Sequence, residues 1–255
     1  MYSSIHRHRQ EDNMEKRYKM KIIIPINDSA YNDELKRVAE TVAPPDLDIV
    51  VENITAGNTS IESRWDRMTN APHVVDLVVK SQQEGYDGVF VSDFDYCGVE
   101  PAREVVDIPV IGAFRSSAYT AMMLSERFSI ITIMNSVEDM QRSHTRLFGI
   151  APNFASIIPV NLTVHELSQR EIVIEKVFEK SVEAIDNDGA DSIILGCTGF
   201  MHIAATVSEK LKEKYKISIP VLDPNMAAVS YLYMLMRNNL SQSRITYCVP
   251  PNFKG

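Results

Sequence analysis

The sequence predicts an α/β fold of two similar lobes. Each is a four-stranded, mainly parallel sheet flanked by helices, with the active site in the cleft between them. Three observations lead there. First, short apolar, β-branched runs alternate with segments of helical period from residue 20 onward. That is the pattern of buried parallel strands joined by crossover helices. Second, Asp87-Gly88-Val89-Phe90-Val91-Ser92-Asp93 is echoed by Asp191-Ser192-Ile193-Ile194-Leu195-Gly196-Cys197, an offset of 104 residues. Third, two more pairs recur in the same order. Lys21-Ile22-Ile23-Ile24-Pro25-Ile26 matches Phe128-Ser129-Ile130-Ile131-Thr132-Ile133 at 107, and Ile108-Pro109-Val110-Ile111 matches Ile219-Pro220-Val221-Leu222 at 111. One such match between apolar strands means nothing; three in order indicate duplication.

Taken in order, residues 1–19 are polar, mix both charges and lack a hydrophobic period, so they are expected to form a disordered extension. Strands are expected at 21–26, 48–51, 88–92, 109–112, 128–133, 156–160, 192–195 and 220–222. Helical spacing falls at 32–42, 72–84, 117–126, 138–148, 169–187, 201–215 and 225–237, with a shorter helix-like stretch at 100–106. Residues 20–126 then form the first lobe and 127–255 the second. The C-terminal helix is expected to pack back on the first lobe.

Composition narrows the function. The chain has 255 residues, 45% of them hydrophobic and 24% charged, which is ordinary for a soluble protein with a sizeable core. A formal net charge of −8 excludes a broad basic face for nucleic acid. No apolar run reaches the roughly 18–20 residues that span a bilayer, and no secretory signal is visible. Cys97, Cys197 and Cys248 are an odd set without metal-ligand spacing, and neither are the six histidines so spaced. Disulfide and metal readings are therefore weak, and a reducing cytoplasm is the expected compartment.

Ligands of open parallel sheets bind beyond the carboxyl ends of the strands. Asp93, Cys197 and the segments 27–29 and 132–136 fall at such ends. Leu195-Gly196-Cys197-Thr198-Gly199 reads as a strand entering a helix, whose free amides at Thr198 and Gly199 would hold an oxyanion and lower the cysteine pKa. The bland alternative is a buried structural cysteine. Asp93 is equally readable as a turn or helix cap. Cys97, four residues on, reaches the cleft only if its loop folds back. The segment 57–63 is a ligand-facing loop or a turn cluster. Candidate substrate-binding residues are Asn27, Asp28, Ser29, Ser60, Thr132, Asn135, Ser136 and Thr198.

At these residues the chain resembles the aspartate/glutamate/hydantoin racemase superfamily over about residues 20–236, and is most similar to hydantoin and allantoin racemases. The resemblance rests on Ser60-Ile61-Glu62-Ser63, Glu100-Pro101-Ala102-Arg103-Glu104, Ile108-Pro109-Val110-Ile111-Gly112, Arg127-Phe128-Ser129-Ile130-Ile131-Thr132 and the Cys197 motif. It implies two pseudo-symmetric lobes, a small-molecule substrate, no cofactor and a homo-oligomer. It also implies a cysteine from each lobe flanking the substrate α-carbon. Cys197 matches the second; the first falls on Asp93, and only a gap of four would bring Cys97 there. The expected chemistry is removal and return of a proton at the α-carbon of a hydantoin-like or amino-acid-like substrate. The alternatives are a lyase resembling arylmalonate decarboxylase that uses one cysteine, and a two-lobed protein that binds a small carboxylate.

Overall fold

Two parallel sheets carry the architecture of the computed structural model, which describes residues 16–253. The first comprises β1 (Tyr18–Ile24), β2 (Leu47–Asn53), β3 (Gly88–Val91) and β4 (Val110–Gly112), in the order β2-β1-β3-β4. The second comprises β5 (Phe128–Thr132), β6 (Phe154–Pro159), β7 (Ser192–Leu195) and β8 (Val221–Leu222), in the order β6-β5-β7-β8. Every pairing is parallel. The inner strands β1, β3, β5 and β7 are buried almost throughout, which explains their unbroken apolar runs.

The repeat in the sequence is a repeat in hydrogen bonding. The Asp87 amide donates to Lys19 O and the Asp191 amide to Arg127 O, both at 2.8 Å. Each aspartate carboxylate then accepts the partner's own amide, Lys19 N at 2.8 Å and Arg127 N at 3.1 Å. At the other end of these strands Ser92 N donates to Ile23 O and Gly196 N to Ile131 O, at 2.8 and 2.7 Å. Asp93 and Cys197 are each the next residue, so the offset of 104 is a structural equivalence.

The connecting helices are α1 (Asn32–Glu40), α2 (Arg64–Gln83), α3 (Val99–Val105), α4 (Ala113–Leu124), α5 (Asn135–Leu147), α6 (Arg170–Asp188), α7 (Ala204–Tyr215) and α8 (Pro224–Arg237). Two of them cross over. The helix α4, which follows the first sheet, packs on β5 and β7, whereas α8, which follows the second, packs on β1, β3 and β4. Gly88 permits the latter contact, because a Cβ there would meet Met236 Sδ at 2.8 Å and Leu232 Cδ1 at 3.0 Å.

Several boundaries differ from the sequence reading. The chain enters the sheet at Tyr18, inside the stretch expected to be a disordered extension. Tyr18 is fully buried and its amide donates to Asp46 O; the rest of that extension up to residue 15 lies outside the described residues. The helix expected from Pro72 starts at Arg64, because Ser63 caps it: Ser63 Oγ accepts from the Asp66 amide and donates to the Asp66 carboxylate. Pro72 is carried inside the helix. No described helix is long and apolar enough to cross a membrane.

Candidate active site

Beyond the carboxyl ends of β1, β3 and β7, loops of the two sheets enclose one cavity. Asp93 and Ser92 enter it from the first sheet; Cys197, Thr198 and Gly199 enter it from the second. Its remaining walls are Ile24, Pro25, Ile26, Tyr31, Leu35 and Ile61 on one side and Val164 and Met201 on the other. Among the described residues Asp93 is the only acidic side chain on the wall, and no Lys, Arg or His lines it.

Each acid/base candidate is held by its own loop. The Asp93 carboxylate accepts the Cys97 amide at 2.7 Å. Burial raises its pKa above the ordinary carboxylate value, opposed by the amides of Cys97, Asp95 and Phe94 and the Arg67 guanidinium. The adjacent Asp95 is pushed further up, by burial and then by the Asp93 charge. The Cys197 sulfur accepts the Gly199 amide at 3.3 Å. Burial nevertheless pushes this thiol up to about 12, and the charges of Asp95, Asp93 and Glu62 add to the shift. The group is a thiol at neutral pH, and it shares the cavity wall with Asp93.

This corrects one expectation. The segment after Cys197 is a turn, and α7 begins only at Ala204, so no helix start lies close enough to stabilise a thiolate. The Gly199 amide is engaged by the sulfur and is not free for a substrate oxygen.

The two loops are pinned to each other. Thr198 Oγ1 donates to Ser92 O at 3.0 Å. Asn225, at the start of α8, donates from Nδ2 to Thr198 O at 2.8 Å and accepts the Ser92 hydroxyl on Oδ1 at 3.1 Å. Gln141 on α5 donates from Nε2 to both Gly196 O (3.0 Å) and the Asp95 carboxylate (3.2 Å). Glu62 accepts the Val164 amide at 2.9 Å, closing the far side.

The remaining candidates lie elsewhere. Cys97 is fully buried outside the cavity wall, and its thiol donates to Arg67 O at 3.3 Å. Burial raises its pKa strongly, with the Asp93 charge adding. Asn27, Asp28 and Ser29 form a turn at the end of β1 in which the Asp28 carboxylate accepts the Ala30 amide. Thr132 is buried and its hydroxyl donates to Gly196 O, buttressing the Cys197 loop. Ser60, Asn135 and Ser136 are likewise off the wall, the last two exposed at the start of α5. Only Thr198 among the expected substrate-binding residues lines the cavity.

Sequence reasoning missed the apolar wall and the pins Gln141 and Asn225. Ile24, Ile26 and Leu35 carry no signal separating a cavity wall from core. Asn225 carried one: Asp223-Pro224-Asn225 opens a helix at a strand end, with Asp223 as the cap on the Asn225 and Met226 amides.

Known proteins share this two-sheet architecture. The Asp/Glu/Hydantoin racemase family profile matches residues 25–232. A hydantoin racemase of Pseudomonas sp. (strain NS671) is 29% identical over 234 residues, covering 91% of this chain and 92% of that one. The allantoin racemase from Klebsiella pneumoniae superposes with a TM-score of 0.83 at 28% identity, covering 93% and 96% of the two chains. Arylmalonate decarboxylase shares the fold alone, with 14% identity and a TM-score of 0.62 over 86% of this chain and 92% of that one. With the family profile spanning both lobes and both candidate loops, the chain belongs to the Asp/Glu/hydantoin racemase family and is an isomerase of that type.

Proposed function

We propose that this racemase acts on 5-substituted hydantoins with an apolar substituent, and that Asp93 and Cys197 serve opposite faces of the ring carbon. One observation carries the reading: Asp93 and Cys197 share a cavity whose other walls are mostly apolar, with only Ser92, Thr198 and Tyr31 bringing hydroxyls, and hold no cationic side chain. A free amino acid brings a carboxylate, which would lie unpaired beside Asp93. A neutral ring brings no such charge. Its α-proton is flanked by a ring carbonyl that takes up the electron pair, so a carboxylate of raised pKa is an adequate base. The polar ureido group of allantoin would meet Ile24, Ile26, Leu35 and Ile61, whereas an alkyl or aryl substituent is solvated by them.

In one direction Asp93 removes the α-proton and the electron pair passes into the ring carbonyl as an enolate. The Cys197 thiol then gives its proton to the opposite face, leaving a thiolate. The product departs with inverted configuration, and the carboxylic acid and thiolate exchange protons with solvent to restore the starting form. The other enantiomer runs these steps backwards. The Gly199 amide on the sulfur stabilises the thiolate stage, and the Cys97, Asp95 and Phe94 amides stabilise the carboxylate stage. Cys97 takes no part, being turned away toward Arg67 O. A carboxylate at position 93 also opposes a malonate-type dianion, which argues against decarboxylation.

The test is optical rotation of enantiopure substrates. Loss of rotation is expected with 5-alkyl and 5-arylalkyl hydantoins, and none with aspartate or glutamate. Turnover of a free amino acid without any hydantoin would overturn the substrate assignment. Exposed apolar side chains such as Trp65, Met68 and Met123 support self-association, which light scattering in solution measures.

A further inference from the structure

A second cavity of about 220 Å³, which shares no lining residue with the substrate cavity, is lined in part by Tyr96 of the Asp93 loop. Arg103 on α3 and Arg115 on α4 both line it, together with Tyr96, Tyr119 and Tyr247. Arg103 is 92% buried, since only 8% of it is exposed. Its guanidinium bonds go to Val110 O (2.7 Å) and the Tyr247 hydroxyl (3.0 Å). The Arg115 guanidinium bonds the Tyr119 hydroxyl, from Nε at 3.2 Å and Nη2 at 3.0 Å. Among the described residues neither guanidinium has a carboxylate partner, in a chain whose net charge is −8. A guanidinium has five N–H donors, and each uses two in these bonds. Leaving the buried Arg103 guanidinium without counter-charge, with the half-buried Arg115 beside it on the same cavity, is costly unless an anion completes the set.

The rings define the rest of the ligand. Arg103 lies over the Tyr96 and Tyr247 rings at 6.0 and 5.3 Å, and Arg115 over Tyr119 at 5.3 Å. Flat aromatic faces beside guanidinium forks suit an oxyanion on a small planar group. The cavity also touches the catalytic loop. Tyr96 belongs to the same turn as Asp93, Asp95 and Cys97, and its backbone is in the left-handed region (φ 65°). A Cβ on Gly112, the last residue of β4, would meet the Tyr96 ring at 3.0 Å. The amide of the next residue, Ala113, donates to Asp93 O. A shift of Tyr96 is therefore transmitted to the turn that holds the Asp93 carboxylate.

We infer that the Arg103–Arg115 cavity is a second binding site, for a small carboxylate or phosphate anion, and that its occupancy alters the rate of the Asp93 site through Tyr96. The binding half is independent of the catalytic assignment; the coupling half rests on it.

The two halves are tested separately. Calorimetry with inorganic phosphate and with benzoate uses the full chain and the Cys197→Ser, Arg115→Gln and Arg103→Gln variants, each checked for an unchanged melting transition. Saturable binding of at least one probe is expected, retained in Cys197→Ser and weakened at least tenfold in Arg115→Gln. Phosphate alone binding would identify a phosphate site, benzoate alone an aromatic carboxylate site. If Arg103→Gln unfolds, Arg115→Gln carries the test, since Arg115 is only half buried. Absence of binding, or equal binding in Arg115→Gln, would overturn the site. Racemisation rates at saturating anion are expected to change at least threefold in the unmodified enzyme and not in Arg115→Gln. Binding without any rate change would overturn the coupling and leave the site standing.

Discussion

In the proposed mechanism Asp93 and Cys197 differ in the direction that their protonation states move during turnover. The carboxyl must lose its proton against burial, whereas the thiol must keep its proton until the enolate forms. Burial acts on both in the same sense, raising each pKa. The pH dependence of kcat/KM follows, since it reports the free enzyme. For the enantiomer whose proton Asp93 removes, activity requires Asp93 ionised, so its rising limb lies above the ordinary carboxylate value of about 4. It also requires Cys197 protonated, so the falling limb is delayed toward about 12. A pair of thiols would instead give a rising limb near the free-cysteine value of about 8.5. A stopped-assay pH series separates the two patterns. Replacing either group, as in Asp93→Asn or Cys197→Ser, is expected to lower kcat for racemisation by roughly 10²–10⁴-fold, the usual range for one acid or base. Cys97→Ala is expected to leave kcat within about threefold and to cost stability of roughly 1–3 kcal/mol, as other large-to-small buried changes do.

At the level of elements, the site depends on two loops being held one residue past equivalent strand ends. Gly196 is the closest approach: a Cβ there would lie 2.5 Å from Ile130 Cγ2 and 3.0 Å from Ile131 O. Gly196→Ala is therefore expected to destabilise the fold by roughly 1–3 kcal/mol, read by chemical denaturation. It should also lower activity more than Gly85→Ala, whose Cβ would meet nothing within 4 Å. Asn225→Ala removes bonds to Thr198 O and the Ser92 hydroxyl and leaves buried groups unpaired, at roughly 1–3 kcal/mol. The strands and the strand-end position of Asp93 and Cys197 were legible in the sequence. An apolar, β-branched run that stops at a polar residue fits a buried strand and its exit loop better than it fits a helix. The helix start after Cys197 was misread. Glycines and a threonine favour a turn and a helix entry alike, and only the packing of Phe200 and Ile203 into the second core sets the start at Ala204. The Ser63–Asp66 cap of α2 was legible in principle, as a serine three residues before an acidic one at a helix start.

Across the molecule, duplication places two loops face to face, and divergence then makes them chemically unequal. The exchange of α4 and α8 between sheets joins the lobes, so movement of one loop relative to the other must disturb both cores. The offsets of 104, 107 and 111 could reveal the duplication, because strands repeat in order. The helix exchange could not be derived from them, since α4 and α8 are apolar helices that suit either sheet. The pin at Gln141 was equally hidden, since a single amide within a helix has no distinguishing pattern, whereas Asn225 is marked by the Asp223–Pro224 helix opening before it. Arg103 and Arg115, which have no carboxylate partner among the described residues, show the same limit: the net charge of −8 says nothing about where individual cations lack counter-charge.

Whether one carboxylate and one thiol serve opposite faces of one carbon is decided by solvent deuterium exchange. The exchange is followed by NMR at the α-carbon of each enantiomer of a 5-alkylhydantoin, with chirality read in parallel. The unmodified enzyme is expected to incorporate deuterium into both enantiomers as it inverts them. Cys197→Ser, retaining only the base on the Asp93 face, is expected to exchange one enantiomer without inverting it. Asp93→Asn is expected to lose exchange of that same enantiomer. Equal residual exchange of both enantiomers in Cys197→Ser, or undiminished racemisation in Asp93→Asn, would contradict the two-faced mechanism.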